Sequence, residues 1–299
     1  MLSFQPITIE DRSLFEEKYV GRMHTSYDSF SNLIMWQKED CLGYTVMEGF
    51  LCIVGVNSVS GKRFAYFPVG GKADRLKTVI DALLSESPDL LFTYLKKSDV
   101  EILRVLYGES IRVIEERDLA EYRYDAEKLR LLSGKALHAK RNHVNKFHSL
   151  YPDSHMELIA GSDKDGLWRA IEALRRDPVL SEEEKNMVID DDYAIDTLYR
   201  NFEKLPLTGA ILYAGDEIAA YTIGEKINGD TALIHVEKAH RDIEGAYSVI
   251  NQSFLNLAFP DVSYVNREED MGNEGLRQAK TSYCPLPFDP IYTAYIAKS

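Results

Sequence analysis

The sequence predicts an α+β protein built from two halves that share one order of elements. Each half contains three strand-like runs joined by turn residues, which indicate an antiparallel meander. Each meander is followed by a helical pattern, a further strand, a second helix and a last strand. A chain of 299 residues also has room for two domains of ordinary size.

The first half has its meander in the runs LGYTVME, FLCIVGV and RFAYFPV, between residues 42 and 69. Next come DRLKTVIDALLSE, typical of a helix, and LLFTYL, typical of a strand. DVEILRVLYG then predicts a second helix and SIRVIEER a last strand. An antiparallel meander followed by a helix and a crossover strand is an α+β arrangement.

The second half repeats this order, with its meander in AILYA, EIAAYTIGE and TALIHVE. The separators at 215–216 and 228–230 contain Gly and Asn, which tolerate the positive φ angles of hairpin turns. GAYSVINQSFLNLAF has apolar residues at helical spacing; VSYVN then predicts a strand, EGLRQAKTSY a helix and IYTAYIA the final strand of this half. We place the boundary near 124–134, which gives domains of 1–130 and 131–299.

Composition and charge limit the classes of function. The formal net charge of -13 argues against broad, sequence-independent binding to nucleic acid, although a local basic pocket is compatible with it. The three cysteines, in which no C-x-x-C pair occurs, fit a reduced, cytoplasmic protein without a disulfide framework. The start of the chain does not read as a signal peptide, and no run has the roughly 20 apolar residues of a membrane span.

A basic segment, KALHAKRNHVNKFH at 135–148, carries four cations and no acid. On a helix, Arg141 lies beside an apolar stripe that includes Leu137 and Val144, and Asn145 lies at its edge. Arg and Asn at such a place can hold a phosphate or a carboxylate, whereas an ordinary surface helix would pair its cations with acids elsewhere. The three histidines are five residues apart and do not share a face, so we predict no metal site.

A second motif, NREEDMGNEGLRQAKTSYCP at 266–285, runs from a strand end into a helix. It gathers the carboxylate of Asp270, the guanidinium of Arg277, the ammonium of Lys280 and the phenol of Tyr283. Functional residues often lie at such corners, where a rigid scaffold positions a loop.

KRNHVNKF and NREEDMGNEGLRQAKTSYCP, together with SYDSFSNLIMWQ and FAYFPVGG in the first half, resemble the C-terminal catalytic domain of phosphatidylglycerol lysyltransferases. The resemblance covers most of the chain. It implies two tandem GNAT-like domains, a fold that these proteins share with the Fem-type peptidyltransferases. It also implies aminoacyl transfer from an aminoacyl-tRNA, which in the lysyltransferases goes to a lipid head group.

The resemblance and the two motifs together give a set of expected site residues. Asp270 and Glu237, at the end of the third strand of the second meander, are expected to orient or deprotonate an acceptor amine or hydroxyl. The expected acceptor is a small molecule or a lipid head group, and the tRNA acceptor end would enter a local basic pocket. The expected substrate- and anion-binding residues are Lys140, Arg141, Asn142, Asn145, Asn266, Arg277, Lys280 and Tyr283.

Two alternatives remain open from the sequence. The first is an N-acetyltransferase that uses acetyl-CoA. Such enzymes bind the pyrophosphate at a glycine-rich loop before a helix, where this chain has Gly245 but Asp242 in place of the usual Gln or Arg. That difference is mild evidence against CoA. The second alternative is a non-catalytic module that binds an anion or another ligand on the same fold.

Overall fold

The chain forms two compact units in a computed structural model that describes residues 2–58, 60–162, 164–175 and 182–297, with the backbone alone for 182–190. Unit 1 comprises Met1–Met23, Tyr27–Ala120 and Asp289–Ser299, and unit 2 comprises His24–Ser26 and Glu121–Phe288. Within the described ranges, no helix combines the length and the apolar character needed to cross a membrane.

Unit 1 contains the predicted meander and the elements predicted to follow it. Its described elements, with the last strand coming from the end of the chain, are β1 (Gln5–Pro6), α1 (Arg12–Lys18), α2 (Phe30–Trp36), β2 (Gly43–Met47), β3 (Phe50–Val56), β4 (Arg63–Ala65), α3 (Leu76–Glu86), β5 (Leu91–Leu95), α4 (Lys97–Tyr107), β6 (Ile111–Glu115) and β13 (Tyr292–Ile296). The seven strands form one mixed sheet in the order β1-β2-β3-β4-β5-β13-β6.

Unit 2 repeats the meander, helix, strand and helix in the predicted order. Its described elements are β7 (Arg123–Asp125), α5 (Ala126–Leu131), α6 (His138–Leu150), β8 (His155–Ala160), α7 (Asp165–Leu174), α8 (Glu182–Asn201), β9 (Leu207–Ala214), β10 (Glu217–Lys226), β11 (Thr231–Ala239), α9 (Ala246–Ala258), β12 (Tyr264–Asn266) and α10 (Glu274–Thr281). The six strands form a mixed sheet in the order β7-β12-β11-β10-β9-β8.

The final strand corrects one prediction. IYTAYIA was expected to close the second half, but β13 pairs with β5 and β6 in the sheet of unit 1. In unit 2, the edge position beside β12 is taken by β7, from the region predicted as the domain boundary. Alternating apolar residues identify a strand but not its partner, because pairing depends on contacts between distant segments.

Each unit has its own apolar core, and the core of unit 2 sets the position of the basic helix. Val144 and Phe147 on α6 are buried together with Ile250 and Phe254 on α9. The predicted basic helix is therefore held by its apolar face against α9, and its polar residues flank that contact. Phe147 is buried on this face, and the neighbouring His148 is exposed.

Candidate functional site

The parallel strands β11 and β12 in unit 2 diverge. They pair only from Thr231 with Tyr264 to Leu233 with Asn266. Beyond Asn266 the chain leaves the sheet, whereas β11 continues to Ala239. A loop that starts where a strand ends is placed by the rigid sheet, and binding residues are common on such loops.

A buried ion pair spans this divergence. The Arg267 Nη2 atom donates a hydrogen bond to Glu237 Oε1 at 2.7 Å, and Asn251 Nδ2 on α9 donates to Glu237 Oε2 at 3.1 Å. The two charged side chains are only 13% and 10% exposed. The Arg267 Nη1 and Asn251 Oδ1 atoms are buried and have no hydrogen-bond partner among the described residues. One buried donor and one buried acceptor beside the ion pair are therefore unsatisfied.

Tyr283 joins Lys140 to the same site. The Lys140 ammonium lies 4.2 Å from the centre of the Tyr283 ring, and the Arg267 guanidinium lies 5.0 Å from it. Burial and the nearby Arg267 charge lower the pKa of Lys140, an effect that Glu237 partly offsets. Burial raises the pKa of Tyr283, whose hydroxyl is 3.4 Å from Ser248 Oγ.

We call these six residues the Tyr283 cluster: Lys140, Glu237, Ser248, Asn251, Arg267 and Tyr283. The cluster contains two cations and one carboxylate. Its surplus positive charge favours an anionic ligand, and the like charge of Arg267 is one reason why the pKa of Lys140 is lowered.

Asp270 lies outside this cluster, in a contact of its own. Its carboxylate is fully buried and receives Arg277 Nε and Nη2, both at 2.9 Å, as well as the Tyr122 hydroxyl at 2.6 Å. The hydrogen bonds from Arg277 hold the pKa of Asp270 well below its usual range. A carboxylate with this many donors is a poor proton acceptor, so the geometry favours a structural role for Asp270 and Arg277.

Lys280 and Asn266 fasten the loop that carries Arg267. The buried Lys280 ammonium donates to the carbonyl oxygens of Arg267, at 2.6 Å, and of Glu269, and burial lowers its pKa. Asn266 Nδ2 donates to Glu121 Oε2 at 2.8 Å, and its Oδ1 accepts from the Glu268 amide. Both residues were predicted to bind an anion, and both instead bind parts of the chain itself.

His235 supports the same loop from β11. It lies between Glu225 Oε1, at 3.0 Å, and Glu268 Oε1, at 2.9 Å. Burial alone would lower the pKa of His235, but the hydrogen bonds to the two glutamates raise it to about 10. Glu268 has a φ of 59°, which is unusual for a residue with a side chain. The loop therefore holds a strained backbone through charged contacts, a feature that is common near functional sites.

The basic helix α6 places only one of its four predicted anion-binding residues in the cluster. Arg141 Nη1 donates to the carbonyl oxygens of Leu132 and, at 2.8 Å, of Gly134. Asn142 is 3.3 Å from His138 Nδ1, and Asn145 is exposed. Among the described residues, no group of histidine, cysteine, aspartate and glutamate side chains is arranged to hold a metal ion.

A cavity of about 220 Å³ lies in unit 2 and shares Tyr283 with the cluster. The loop 133–137 before α6 forms one wall. The other lining residues are Tyr124, Asp125, Lys128, Leu129, Tyr283, Cys284 and Leu286. Tyr283 thus belongs both to the Tyr283 cluster and to the lining of the cavity.

The helix start at Gly245 bears on the acetyl-CoA alternative. Gly245 has a φ of 89°, and a Cβ atom at this position would lie 2.5 Å from the carbonyl oxygen of His143 on α6. Lys146 on the same helix pairs with Glu244 at 2.6 Å. Helix α6 therefore packs directly over the N-terminus of α9, where an enzyme that uses acetyl-CoA would need room for the pyrophosphate.

Sequence reasoning missed Arg267, Asn251, Ser248 and His235. Arg267 stands inside the quoted C-terminal motif, next to Asn266, but its contact with Glu237 on the neighbouring strand joins positions 30 residues apart in the sequence. Asn251 and Ser248 are polar residues three apart among the buried apolar residues of α9, a local signal that could have identified them. His235 lies on a buried strand and carries no such signal.

The two units, each built on one mixed sheet, fit the predicted architecture of two GNAT-like domains. The family described as "Phosphatidylglycerol lysyltransferase, C-terminal" matches residues 20–295, and the chain belongs to it. This membership supports acyl or aminoacyl transfer as the class of function.

Solved structures agree with this assignment of the fold. A conserved protein of unknown function from Bacteroides thetaiotaomicron is 32% identical, with a TM-score of 0.86, over 99% of this chain and all of that one. The L-PGS of Bacillus licheniformis is 14% identical, with a TM-score of 0.65, over 100% of this chain and 95% of that one. A tandem GNAT protein from the clavulanic acid pathway has 12% identity and a TM-score of 0.50, over 100% and 99% of the two chains. The last two show the fold alone and confirm the predicted tandem GNAT-like architecture.

An uncharacterized protein of Mycoplasmoides gallisepticum is 24% identical over 198 residues. That match covers 62% of this chain and 59% of the relative's own length.

Proposed function

We propose that the chain is an aminoacyltransferase that takes an aminoacyl group from an aminoacyl-tRNA and passes it to an amine or a hydroxyl. The observation that carries the proposal is the surplus of positive charge in the Tyr283 cluster, where Lys140 and Arg267 share one ring and one carboxylate. The family to which the chain belongs is named for lysyl transfer, which makes lysyl-tRNA the first donor to test.

The reaction needs positive charge near the ester carbonyl of the donor. When the acceptor attacks, that oxygen becomes an oxyanion, and fixed donors that are already in place stabilise it most effectively. Arg267 Nη1 is such a donor, since it is buried and has no partner among the described residues. The Lys140 ammonium would bind the same oxyanion or a phosphate at the tRNA end.

The reaction also needs proton transfer at two atoms. An attacking amine must lose a proton, and the predicted base is the Glu237 carboxylate. Glu237 receives two hydrogen bonds, from Arg267 and Asn251. Asp270 receives four, which makes Glu237 the better proton acceptor of the two. The ribose oxygen that leaves must gain a proton. Lys140 suits that step because its lowered pKa makes the ammonium a stronger acid than an ordinary lysine.

The remaining predicted residues take supporting roles in this proposal. Asp270 with Arg277, and Lys280 with Asn266, hold the loop that positions Arg267. Their loss would act through the position of the guanidinium and not through a direct contact with the donor.

The packing at Gly245 favours an aminoacyl-tRNA donor over acetyl-CoA. Helix α6 covers the start of α9, and the two acids Asp242 and Glu244 stand in the loop where a pyrophosphate would need cations. A tRNA end could instead approach through the basic residues around Tyr283.

The test follows a radiolabelled group from two donors in parallel. The protein is incubated with [14C]lysyl-tRNA or with [14C]acetyl-CoA, in the presence of phosphatidylglycerol vesicles and a mixture of water-soluble amines. We expect label from the tRNA to reach an acceptor. Lys140→Ala should reduce the rate by at least about tenfold, and the matched control Lys146→Ala, an exposed lysine on the same helix, should leave it unchanged.

Two results would contradict the proposal. Acetyl transfer without consumption of charged tRNA would favour the N-acetyltransferase. Saturable binding of an anion without turnover of either donor would favour the non-catalytic module.

A further inference from the structure

The cavity beside Tyr283 is enclosed by segments that are held in place. Arg141 fixes the loop before α6 by donating to the carbonyl oxygens of Leu132 and Gly134. The Tyr124 hydroxyl donates to the carbonyl of Lys280 at 2.8 Å, which ties one cavity wall to α10. These bonds fix the shape of the cavity from opposite ends of unit 2's sequence, as expected for a preformed binding site.

The cavity has an apolar part and a cationic part. Leu129, Leu137 and Leu286 line it, together with the two tyrosine rings. Lys128 and Lys135 also line it; both are exposed, and neither has an ion-pair partner in the described part of the chain. The nearby carboxylate of Asp125 is already engaged, since it caps α5 by accepting a hydrogen bond from the Lys128 amide at 2.9 Å.

We propose that this cavity binds the acceptor, and that the acceptor is a small water-soluble phosphate monoester that carries an amine or a hydroxyl. The inference rests on the proposed function and narrows it. A phosphate monoester carries close to two negative charges at neutral pH, which match the two lysines. At about 220 Å³, the cavity lies below the roughly 300–1,000 Å³ of pockets for larger ligands, so its occupant is small.

Charge argues against a bilayer as the source of this phosphate. Anionic membrane surfaces attract polybasic segments, at about 1 kcal/mol per lysine or arginine. The cavity is lined by two lysines, Lys128 and Lys135, whereas segments that bind such surfaces carry about four to eight cations; two lysines are enough to pair with one small phosphate. The acceptor therefore differs from the phosphatidylglycerol for which the family is named.

The arrangement gives a balanced transfer step. With its phosphate at Lys128 and Lys135, the acceptor would extend its amine past Tyr283 toward Lys140 and Arg267. The amine nitrogen forms a bond to the carbonyl carbon of the aminoacyl ester, and the bond from that carbon to the ribose oxygen breaks. The proton lost by the amine ends on the ribose oxygen, which yields an amide and uncharged tRNA.

The experiment measures binding by isothermal titration calorimetry with O-phosphoethanolamine, which joins a phosphate monoester to a primary amine. Ethanolamine and phosphatidylglycerol vesicles are titrated in parallel. We expect saturable binding of phosphoethanolamine alone. The double variant Lys128→Gln/Lys135→Gln should weaken that binding by at least about tenfold. Lys146→Gln removes an exposed lysine charge on α6 that does not line the cavity, and it should change the binding by less than about twofold.

The outcomes separate this inference from the proposed function. Labelled product on phosphatidylglycerol vesicles, without phosphoethanolamine binding, would agree with the proposed aminoacyltransferase activity and overturn the inference about the acceptor. Equal weakening by Lys146→Gln, or no saturation up to roughly 10 mM, would also overturn it. Phosphoethanolamine binding that depends on both cavity lysines, without consumption of any charged tRNA, would support the phosphate site and contradict the proposed aminoacyltransferase activity.

Discussion

Units 1 and 2 each contain two neighbouring parallel strands that diverge after a few paired residues. The side chains that follow the last paired residues differ between the two units. In unit 1, β4 and β5 pair only from Phe64 to Ala65. The ring centres of Tyr66 and Tyr94, which follow, are 5.0 Å apart, and Tyr27 stacks on Tyr94 at 4.2 Å. In unit 2, the corresponding place holds the Arg267–Glu237 pair.

The charges in the two places also differ. In unit 1, Arg22 pairs with Asp99 at 2.9 Å and Lys96 pairs with Asp28 at 2.5 Å, so each cation has a carboxylate. In unit 2, Arg267 pairs with Glu237, and the same carboxylate charge also acts on Lys140. The same strand arrangement is therefore packed with rings and balanced ion pairs in one unit, whereas the other keeps a surplus charge that a ligand can neutralise.

The largest expected effect concerns two buried aspartates that look alike. Asp270 and Asp99 are both fully buried and both pair with an arginine that is 28% exposed. Asp270→Asn and Asp99→Asn should each lower the free energy of unfolding by about 3 kcal/mol, because each takes a buried, charged carboxylate away from a partly buried arginine. Chemical denaturation measures this loss. The transfer rate per folded molecule should not change in Asp99→Asn, and in Asp270→Asn it should fall only together with stability, because Asp270 acts by holding the loop of Arg267. A stable but inactive Asp270→Asn variant would instead make Asp270 catalytic.

The pH dependence of this pair has a definite sign. The folded-state pKa of Asp270 lies below its unfolded value of about 3.9, so its contribution to stability is present above about pH 4 and is lost as the pH falls. The difference in unfolding free energy between wild type and Asp270→Asn should therefore shrink on acidification below about pH 4. An unchanged difference at pH 3 and pH 7 would contradict this account.

The second largest effect is a difference in transfer rate between variants of Arg267 in unit 2 and Arg22 in unit 1. Arg267→Lys keeps the charge but removes the open Nη1 donor, and we expect a loss of about 100-fold in transfer, the usual cost of one oxyanion donor. Arg22→Lys makes the matched change in unit 1 and should alter transfer by less than about twofold. Single-turnover rates with charged tRNA measure both. Equal losses in the two variants would erase the functional distinction between the units.

The smallest effect compares two glycines that precede helices. Gly245 in unit 2 and Gly70 in unit 1 have φ angles of 89° and 88°, so an alanine is strained at either place. The Cβ atom at 245 would meet the carbonyl of His143, whereas at 70 it would meet the flexible side chain of Lys18. Gly245→Ala should therefore cost about 1 kcal/mol more than Gly70→Ala in urea denaturation. Equal costs would show that α6 does not press on the start of α9.

Element order could be predicted from the sequence because helices and strands leave local patterns. The two meanders, α3, α4, α9 and α10 all follow from apolar spacing and turn residues. The partner of β13 could not be predicted, because its alternation is the same whichever sheet receives it.

For a similar reason, only part of the candidate site could be predicted from the sequence. Lys140 and Tyr283 were predicted from the motifs, and Glu237 from its place at a strand end in a GNAT-like fold; all three lie in the Tyr283 cluster. Arg277 and Asp270 were predicted as separate functional groups, but they form a pair across the corner before α10, a contact that the spacing of seven residues does not reveal. Whether a cation is free to bind a ligand depends on its partners, which only the folded chain supplies.

The most direct test of the central claim is transfer from tRNA charged with radiolabelled lysine, with wild type and the Lys140→Ala, Arg267→Lys and Arg22→Lys variants side by side. The account predicts label on an acceptor with wild type and Arg22→Lys, and a loss of at least about tenfold with each change in the Tyr283 cluster. Transfer at the wild-type rate in all three variants would contradict the assignment of the site to unit 2.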